Sequence, residues 1–338
     1  MSEFQKTSEI NNNSCIKFKH VRVDYQVREG LVKSVDGVTF DVKKGRITAL
    51  IGESGSGKST ITGAVLRILA PNGKISPESE ILFEGKDILK MSSNEVRNFR
   101  WRKASMVFQA AQNALNPTVR IKSQIFDTVT DHGENPGSEE YRERLQELLS
   151  MVRLEPKRVL NAFPHELSGG MRQRVIIAMS MILKPEFIIL DEPTTALDVI
   201  TQSYIFDILK EIHEKTGQTM IFITHDMSAV AKLADTIGVM YAGKIFELCD
   251  ADLLFDRPLH PYTTGLLNSI PSIEGDTIKR KPVKGQTPDL INKPPGCVFH
   301  PRCDYAEQIC MEKEPEFSDL GGGHFVACHK GGKIDWLQ

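Results

Sequence analysis

The residues of this chain that could act on a phosphate group begin at Gly52, where the sequence reads GESGSGKS as far as Ser59. Glycines let backbone N–H groups converge on phosphate oxygens, and a helix that follows adds the positive end of its dipole. Lys58 would reach the β- and γ-phosphates of a nucleotide, and Ser59 would hold Mg²⁺. The alternative is a glycine-rich turn that fits the pattern by chance. The strand before it and the helix after it favour the phosphate loop.

An acidic pair ends the short apolar run FIILDEP, from Phe187 to Pro193. Asp191 suits the coordination shell of Mg²⁺, and Glu192 could polarise an attacking water as a general base. The alternative is a solvated acidic pair that caps a strand. Because ligands bind at the carboxyl ends of parallel strands, the catalytic interpretation is favoured.

Four of the six cysteines, Cys297, Cys303, Cys310 and Cys328, lie near the end of the chain, whereas Cys15 and Cys249 are isolated. Four thiolates suit either a tetrahedral zinc or an iron–sulfur cluster. The tight C-x₂₋₄-C spacing of structural zinc sites does not occur, and gaps of five and six residues suit a larger cluster better. Disulfides are a distant third reading, because a chain without a secretion signal stays in a reducing compartment.

His300 lies within the cysteine stretch and His329 follows Cys328. Either imidazole could be a ligand of a mixed site. We first interpret both as residues that lie outside the metal's own ligand set or are exposed.

The elements that position these residues are predicted from hydrophobic periodicity. Alternating patterns at 15–27 and 35–45 predict antiparallel strands, and 81–88 predicts another strand pair. The run 46–52 predicts a buried strand before the phosphate loop, with a helix from Ser59. The runs 187–193 and 219–226, with a helix between them at 203–217, predict parallel strands of a doubly wound α/β core.

Further helices are predicted at 138–154, with Ser138 as the N-cap, and at 172–183, where apolar residues on nearly every side indicate burial. One helix is expected within 260–272. The polar residues 1–15 are expected to form a disordered tail.

Composition narrows the class of protein. The chain has 338 residues, of which 40% are hydrophobic, and a net charge of -2. A near-neutral charge argues against strong non-specific binding to nucleic acid. The longest apolar run is about half the roughly 20 residues that a membrane span needs, so the protein is expected to be soluble or held at a membrane by partners.

The segment LSGGMRQR, at 167–174, resembles the signature sequence of ABC-type ATPases. Other motifs of that family follow in order. Tyr25 corresponds to the aromatic that stacks on adenine, and Gln109 to the glutamine of the Q-loop. Asp198 in TALD corresponds to the D-loop, and His225 in ITHD to the switch histidine. Each residue alone would be read as an ordinary sheet aromatic or satisfied polar group.

The resemblance implies a set of site residues. The catalytic residues would be Glu192, His225 and Gln109, and Mg²⁺ would be held by Ser59, Gln109 and Asp191. The residues that bind ATP would be Tyr25, Gly52, Ser54, Gly55, Ser56, Gly57, Lys58, Ser59, Thr60, Gln109, Asp191 and His225. Ser168, Gly169, Gly170 and Asp198 would face the γ-phosphate held by a second ATPase subunit, so a lone subunit should hydrolyse ATP poorly.

The segment 254–272, the ALNP after Gln109 and the cysteine-bearing tail resemble the ATPases of dipeptide and oligopeptide importers. This resemblance implies a [4Fe-4S] cluster at the four cysteines, with zinc as the alternative. It also implies two transmembrane permease subunits, an extracytoplasmic solute-binding protein, and a peripheral position on the cytoplasmic face of the membrane. Close relatives import oligosaccharides or nickel, and the stretch QAAQNALNP at 109–117 departs from the usual pattern.

The expected fold is α/β, a P-loop ABC-type nucleotide-binding domain with a mixed sheet core, an antiparallel β subdomain and a helical subdomain. This domain would span 16–255, with the helical part at about 110–183, and a cysteine-bearing extension would span 256–338. A competing class is a soluble ABC ATPase that acts on nucleic acid or ribosomes. The single nucleotide-binding domain argues against that class. The signature segment argues against a third class, a P-loop phosphotransferase.

Overall fold

The computed structural model describes residues 14–269 and 283–333. The predicted disordered tail is therefore addressed only at Ser14 and Cys15, where the boundary is wrong because both residues belong to the first strand. The predicted helix within 260–272 lies partly outside the described residues, and its described part is helical from Pro261 to Leu267.

The described strands and helices are listed here in chain order. The strands are β1 (Ser14–Val27), β2 (Gly30–Lys43), β3 (Ile47–Ile51), β4 (Gly73–Ile75), β5 (Glu80–Phe83), β6 (Lys86–Asp87), β7 (Ala104–Val107), β8 (Phe187–Asp191), β9 (Thr219–Ile223), β10 (Thr236–Tyr241), β11 (Lys244–Asp250), β12 (Ser318–Asp319) and β13 (Phe325–Val326). The α-helices are α1 (Lys58–Val65), α2 (Ser93–Phe99), α3 (Ile121–Asp131), α4 (Glu139–Met151), α5 (Pro156–Asn161), α6 (Gly169–Ser180), α7 (Val199–Thr216), α8 (Met227–Leu233), α9 (Ala251–Asp256), α10 (Pro261–Leu267) and α11 (Gln308–Glu312).

An antiparallel sheet has the order β2-β1-β5-β6, with β4 also paired to β1. Its alternating sequence turns one face inward, and Phe18 stacks on its register partner Phe40 with ring centroids 4.4 Å apart. The predicted strands at 15–27 and 35–45 and the predicted pair at 81–88 are confirmed. Helix α1 packs against β1 and β2 of this sheet.

The main sheet has the order β12-β13-β11-β10-β3-β9-β8-β7. Strands β10, β3, β9, β8 and β7 run parallel, and β11, β13 and β12 add an antiparallel edge. Residues of the parallel strands are almost all buried, as expected for strands covered on both faces. The loops after β3, β7, β8 and β9 therefore meet at one edge of the sheet.

Helix α1 lies between the two sheets. Its Ile61 and Val65 are fully buried in one core with Phe18 of β1 and Ile221 of β9. The helix starts one residue before the predicted Ser59 and ends at Val65. Because α1 is buried on both sides, its N-terminus, where the phosphate loop ends, is held in place.

Helices α3 to α6 lie between β7 and β8 in the sequence. In α4, Leu145, Leu148 and Leu149 are buried as the predicted stripe requires, and Ser138 accepts a hydrogen bond from the backbone N–H of Tyr141 at 3.5 Å. Helix α6 starts at Gly169, three residues before the predicted start, and buries residues on most sides. These helices form the part of the structure that presents the LSGG segment.

The C-terminal segment joins the main sheet. Strand β13 pairs with β11, where Phe325 lies opposite Leu248, and the Ala327 N–H donates to the Phe246 carbonyl at 2.8 Å. Phe299, which lies between two of the cysteines, is 3% exposed within the main core. The cysteine-bearing segment is thus packed against the core.

Candidate functional site

The phosphate loop connects β3 to α1 at the carboxyl edge of the main sheet. Gly52 has a φ of +145° and Gly57 a φ of +99°, both in the region that favours glycine. A Cβ at Gly52 would lie 2.0 Å from the Met240 carbonyl oxygen, and one at Gly57 would lie 2.3 Å from the Ser34 carbonyl oxygen. Any side chain at these two positions would displace the loop, so the glycine spacing is a packing requirement.

Lys58, the first residue of α1, is buried inside the loop. Its Nζ donates to the carbonyls of Gly52 and Glu53 at 2.8 and 2.9 Å and to Ser56 Oγ at 3.1 Å. Burial lowers the pKa of Lys58, while the carboxylates of Glu192 and Asp191 oppose that shift. The ammonium group is held by neutral acceptors, and a phosphate oxygen would be a stronger partner for it.

A hydroxyl and a carboxylate meet where the sequence predicts a magnesium site. Ser59 Oγ donates to Asp191 Oδ1 at 3.0 Å, and Asp191 is 5% exposed at the end of β8. Burial raises the pKa of Asp191 despite the Ser59 hydrogen bond. Hydroxyl and carboxylate oxygens are the ligands that Mg²⁺ prefers, so this pair fits the ion.

Glu192 is the centre of a polar cluster. Its Oε2 accepts from Gln109 Nε2 at 2.9 Å and from Thr195 Oγ1 at 3.0 Å, and His225 Nδ1 lies 3.4 Å from its Oε1. Glu192 has a φ of +44°, an unusual value for a residue with a side chain, which indicates strain held by the surrounding structure. The structure therefore brings together the three predicted catalytic residues.

Thr195 was missed by the sequence reasoning. It follows Glu192 by three residues in the segment EPTT, and this spacing lets a turn fold its hydroxyl back onto the carboxylate. A threonine in a short polar stretch is an ordinary turn residue, so the only sequence signal for its contact with Glu192 was its spacing from the acidic pair.

The LSGG segment lies at the start of α6. Ser168 caps the helix by accepting from the Met171 N–H at 3.3 Å. A Cβ on Gly170 would lie 2.5 Å from Thr201 Cγ2, so the glycine allows α6 to approach α7 closely. Among the described residues, no hydrogen bond joins residues 168–170 to residues 52–60.

Asp198 lies beside the LSGG segment and caps α7. It accepts from the Thr201 N–H at 2.9 Å and from Thr201 Oγ1 at 2.7 Å, which holds the pKa of Asp198 below its usual value. The next two residues, Val199 and Ile200, are 79% and 84% exposed. Two adjacent apolar side chains in water beside polar site residues mark a surface suited to contact with another protein.

The remaining predicted nucleotide residues lie around the loop. Ser56 is buried, Ser54 and Gly55 are exposed, and Thr60 Oγ1 lies 2.9 Å from Ser34 Oγ. Tyr25 lies in β1, half-buried, with its ring edge 2.8 Å from where a Cβ of Gly73 would be. No hydrogen bond or ring contact in the described ranges ties Tyr25 to the phosphate loop, so its role stays a prediction.

The four C-terminal cysteines line one small cavity of about 20 Å³. All four are free thiols, and burial raises the pKa of Cys297 to about 12 and that of Cys328 to about 11. His300 and His329 also border the cavity, and each ring has a nitrogen within hydrogen-bonding distance of a backbone carbonyl. The structure therefore brings together the predicted cysteine set, and the two histidines have partners of their own.

A second buried polar group surrounds Glu247, which is 0% exposed in β11. It accepts from the N–H groups of Leu259 and His260 at 2.6 and 3.0 Å and lies 2.7 Å from His324 Nε2. Cys249 lies within 4.8 Å of the same group. The sequence did not reveal this cluster, whose partners satisfy the carboxylate and tie the C-terminal segment to β11.

Family models match two parts of the chain. The model described as ABC transporter matches residues 35–195, and the one described as oligopeptide/dipeptide transporter, C-terminal region, matches residues 246–310. The second match includes α10 and three of the four cysteines that line the cavity.

Curated relatives match over nearly the full length. A dipeptide transport ATP-binding protein, DppD, of Caldanaerobacter subterraneus subsp. tengcongensis is 46% identical over 314 residues, covering 93% of this chain and 96% of that protein. An oligopeptide transport ATP-binding protein, AppF, of Bacillus subtilis is 40% identical over 329 residues, covering 94% and 98%.

Solved structures resemble the chain in fold and sequence. A dimeric post-hydrolysis state of the ATP-binding cassette MJ0796, bound to ADP and Pi, has a TM-score of 0.60 and 29% identity, covering 70% of this chain and 98% of that one. CbiO1 of Clostridium perfringens, part of an ABC transporter complex, has a TM-score of 0.61 and 27% identity, covering 72% and 91%. In the described ranges, no helix is long and apolar enough to cross a bilayer.

Proposed function

Because this chain belongs to the family of ATP-binding subunits of dipeptide and oligopeptide ABC transporters, we propose that it hydrolyses ATP to drive the import of peptides. The observation that carries the proposal is the cluster in which Glu192 meets Gln109, Thr195 and His225 beside the Ser59–Asp191 pair. This arrangement places a general base one residue from a magnesium ligand. An alternative cargo is an oligosaccharide or nickel.

The chemistry follows from the positions of the side chains. The phosphate loop and Lys58 bind the β- and γ-phosphates. Ser59, Asp191 and Gln109 would hold Mg²⁺, which would neutralise charge on the phosphate oxygens. A water attacks the γ-phosphorus, Glu192 takes its proton, and the bond to the ADP oxygen breaks to give ADP and phosphate. Gln109 and Thr195 fix the carboxylate in place, and His225 lies next to its free edge.

The site is completed by a second ATPase subunit. Ser168, Gly169 and Gly170 form a helix N-terminus suited to a phosphate, yet within one chain they do not bond to the phosphate loop. The exposed Val199 and Ile200, beside Asp198, supply apolar surface for the contact. The partner is a homologue or a second copy of this chain, and Tyr25 would stack on the adenine ring.

ATP binding would draw the two ATPase subunits together and hydrolysis would release them. Closure requires that ATP binds the closed state more tightly than the open one. The stretch 109–117 and the helices after it would pass the motion to two transmembrane permease subunits. An extracytoplasmic solute-binding protein would deliver the cargo, and this chain would lie on the cytoplasmic face of the membrane.

We assign a division of the chain on the same grounds. The nucleotide-binding domain, which includes all of β1, would span 14–255, with its helical part at about 110–183, and the extension would span 256–338. Strands β12 and β13 of the extension pair with the main sheet, so the two parts would fold as neighbours.

The four cysteines, which line one cavity, are proposed to hold a [4Fe-4S] cluster, with zinc as the alternative. In a tetrahedral zinc site with Zn–S bonds of about 2.3 Å, the sulfurs lie about 3.8 Å apart. Among the described residues, no three of Cys297, Cys303, Cys310 and Cys328 bring their sulfurs within 4.8 Å of one another. This arrangement of thiols is wider than a tetrahedral zinc site requires. Bound metal would be structural, holding a segment rich in loops against β11.

Affinity purification of the full chain from solubilised membranes tests the transport assignment. Mass spectrometry should find two permease proteins and a second ATPase in stoichiometric amounts, and elemental analysis should find iron rather than zinc. Recovery with ribosomal proteins, and without membrane proteins, would contradict the proposal.

A further inference from the structure

Glu53, the second residue of the phosphate loop, is held by three separate contacts. Its carboxylate accepts two hydrogen bonds from Arg302, its backbone N–H donates to Tyr262 Oη at 3.0 Å, and its carbonyl accepts from Lys58 Nζ at 2.9 Å. Two of these three partners, Arg302 and Tyr262, come from the C-terminal extension. The Gly52–Glu53 peptide unit, whose carbonyl accepts from Lys58 Nζ at 2.8 Å, is therefore held from outside the cassette through its N–H.

Arg302 pairs with Glu53 through two hydrogen bonds. Arg302 Nη1 and Nη2 lie 2.7 and 2.9 Å from the two carboxylate oxygens, the bidentate geometry that a planar guanidinium favours. Nη1 also donates to Tyr241 Oη at 3.2 Å, and Nε donates to the Lys284 carbonyl at 2.6 Å. The Arg302 side chain is 7% exposed, so its position is fixed on every side.

Tyr262 gives the second contact from α10. It is 0% exposed and its ring lies 4.7 Å from that of Tyr241 and 5.4 Å from that of Phe299, centroid to centroid. Burial raises the pKa of Tyr262, so its hydroxyl keeps its proton while the oxygen accepts from the Glu53 N–H. Packing of these rings thus fixes the position of the Tyr262 hydroxyl, and with it the position of the Glu53 backbone in the phosphate loop.

We propose that Arg302 and Tyr262 are positioning residues of the nucleotide site, and that the extension sets the phosphate-loop geometry of its own chain. If either contact is lost, the backbone at Glu53 rotates. Lys58, which is bonded to the Glu53 carbonyl, then moves away from the position in which it would bind phosphate. The inference rests on the proposed ATP site. It extends that site to the segment that holds the four cysteines, in which Arg302 is next to Cys303.

The test uses the full chain with Arg302→Met, Arg302→Lys, Tyr262→Phe and Glu53→Gln. Titration with a fluorescent ATP analogue and Mg²⁺ should give a Kd about tenfold higher for Arg302→Met, corresponding to about 1.4 kcal/mol. KM for ATP should rise in parallel while kcat at saturation stays within about twofold, since the base at Glu192 is untouched. Arg302→Lys should recover only part of the affinity, because one ammonium cannot make the bidentate pair.

Glu314→Gln is the matched control, because Glu314 also joins the extension to the cassette, through Lys244 Nζ at 2.6 Å, away from the loop. Its Kd should equal that of the unmodified chain. If Arg302→Met does not fold, Glu53→Gln decides, since it leaves the extension intact and should show a similar rise in Kd. Unchanged Kd values in Glu53→Gln and Tyr262→Phe would overturn the inference, whereas failure of the unmodified chain to bind ATP would instead contradict the proposed function.

Discussion

Replacing Glu192 with Gln removes the proposed base and keeps its shape. In the native site, Oε2 accepts from Gln109 Nε2 and Thr195 Oγ1, and a glutamine oxygen can accept the same two bonds. The new amide group would then face His225 Nδ1, which can accept in one tautomer. The local structure and the contacts to Lys58 should persist, so the affinity for ATP should change little.

The loss of turnover should be large. A positioned general base contributes about 10²–10⁴ in rate, or roughly 2.7–5.4 kcal/mol in the barrier. Steady-state phosphate release by Glu192→Gln should fall by that factor, while the Kd for ATP stays within about threefold of the native value. With ATP unhydrolysed, size-exclusion chromatography should show a persistent closed dimer.

Glu186→Gln is the control for this experiment. Glu186 lies just before the other end of β8 and pairs with Lys103 at the surface, so its loss removes a carboxylate next to the same strand without touching the site. Its turnover should match the native rate. A Glu192→Gln rate within about tenfold of native would refute the assignment of Glu192 as the base.

Three further predictions follow from the exposed surface and the proposed cluster site. Ser168→Arg should prevent ATP-driven dimerisation, measured by light scattering, because its long side chain would fill the place proposed for the phosphate held by the partner subunit. Ile200→Glu should raise the dimer dissociation constant by about 10- to 100-fold, since burying this side chain is worth about 1.5–3 kcal/mol. Replacing Cys303 and Cys310 with Ser should remove bound iron and lower the melting temperature, measured by elemental analysis and thermal denaturation.

The Ser168 and Ile200 variants each have a counterpart elsewhere in the fold. Ser138→Arg loses the same kind of helix cap, worth about 1 kcal/mol, but should still dimerise. Leu253→Glu alters a 40% exposed residue and should leave dimerisation unchanged. Dimerisation by Ser168→Arg, an unchanged dissociation constant for Ile200→Glu, or full iron content in the Cys303 and Cys310 double variant would each contradict its prediction.

The phosphate loop and the acidic pair could be read from the sequence because their chemistry is local. The glycines, Lys58 and Ser59 are contiguous, and the strand and helix around them have clear periodicity. The meeting of Asp191 with Ser59 followed from the rule that ligands bind at the carboxyl edge of parallel strands. The fold only had to bring the phosphate loop and the acidic pair to the carboxyl edge of the main sheet.

The contacts of the extension could not be predicted because they join distant parts of the chain. Arg302 is 249 residues from Glu53, and an arginine beside cysteines is ordinarily read as exposed or as a neighbour of the metal. Glu247 lies in β11, where residues 245–249 are all buried, and its carboxylate meets His324, 77 residues later. Strand β13 has two residues, too few for any periodic signal.

A cryo-EM map of the ATP-loaded assembly carrying Glu192→Gln would show whether two subunits share each nucleotide. We expect Ser168 Oγ of one ATPase subunit to lie within about 3.2 Å of a γ-phosphate oxygen bound by the other subunit's phosphate loop. A map in which each triphosphate contacts residues of one subunit alone, with Ser168 remote from it, would contradict the shared site.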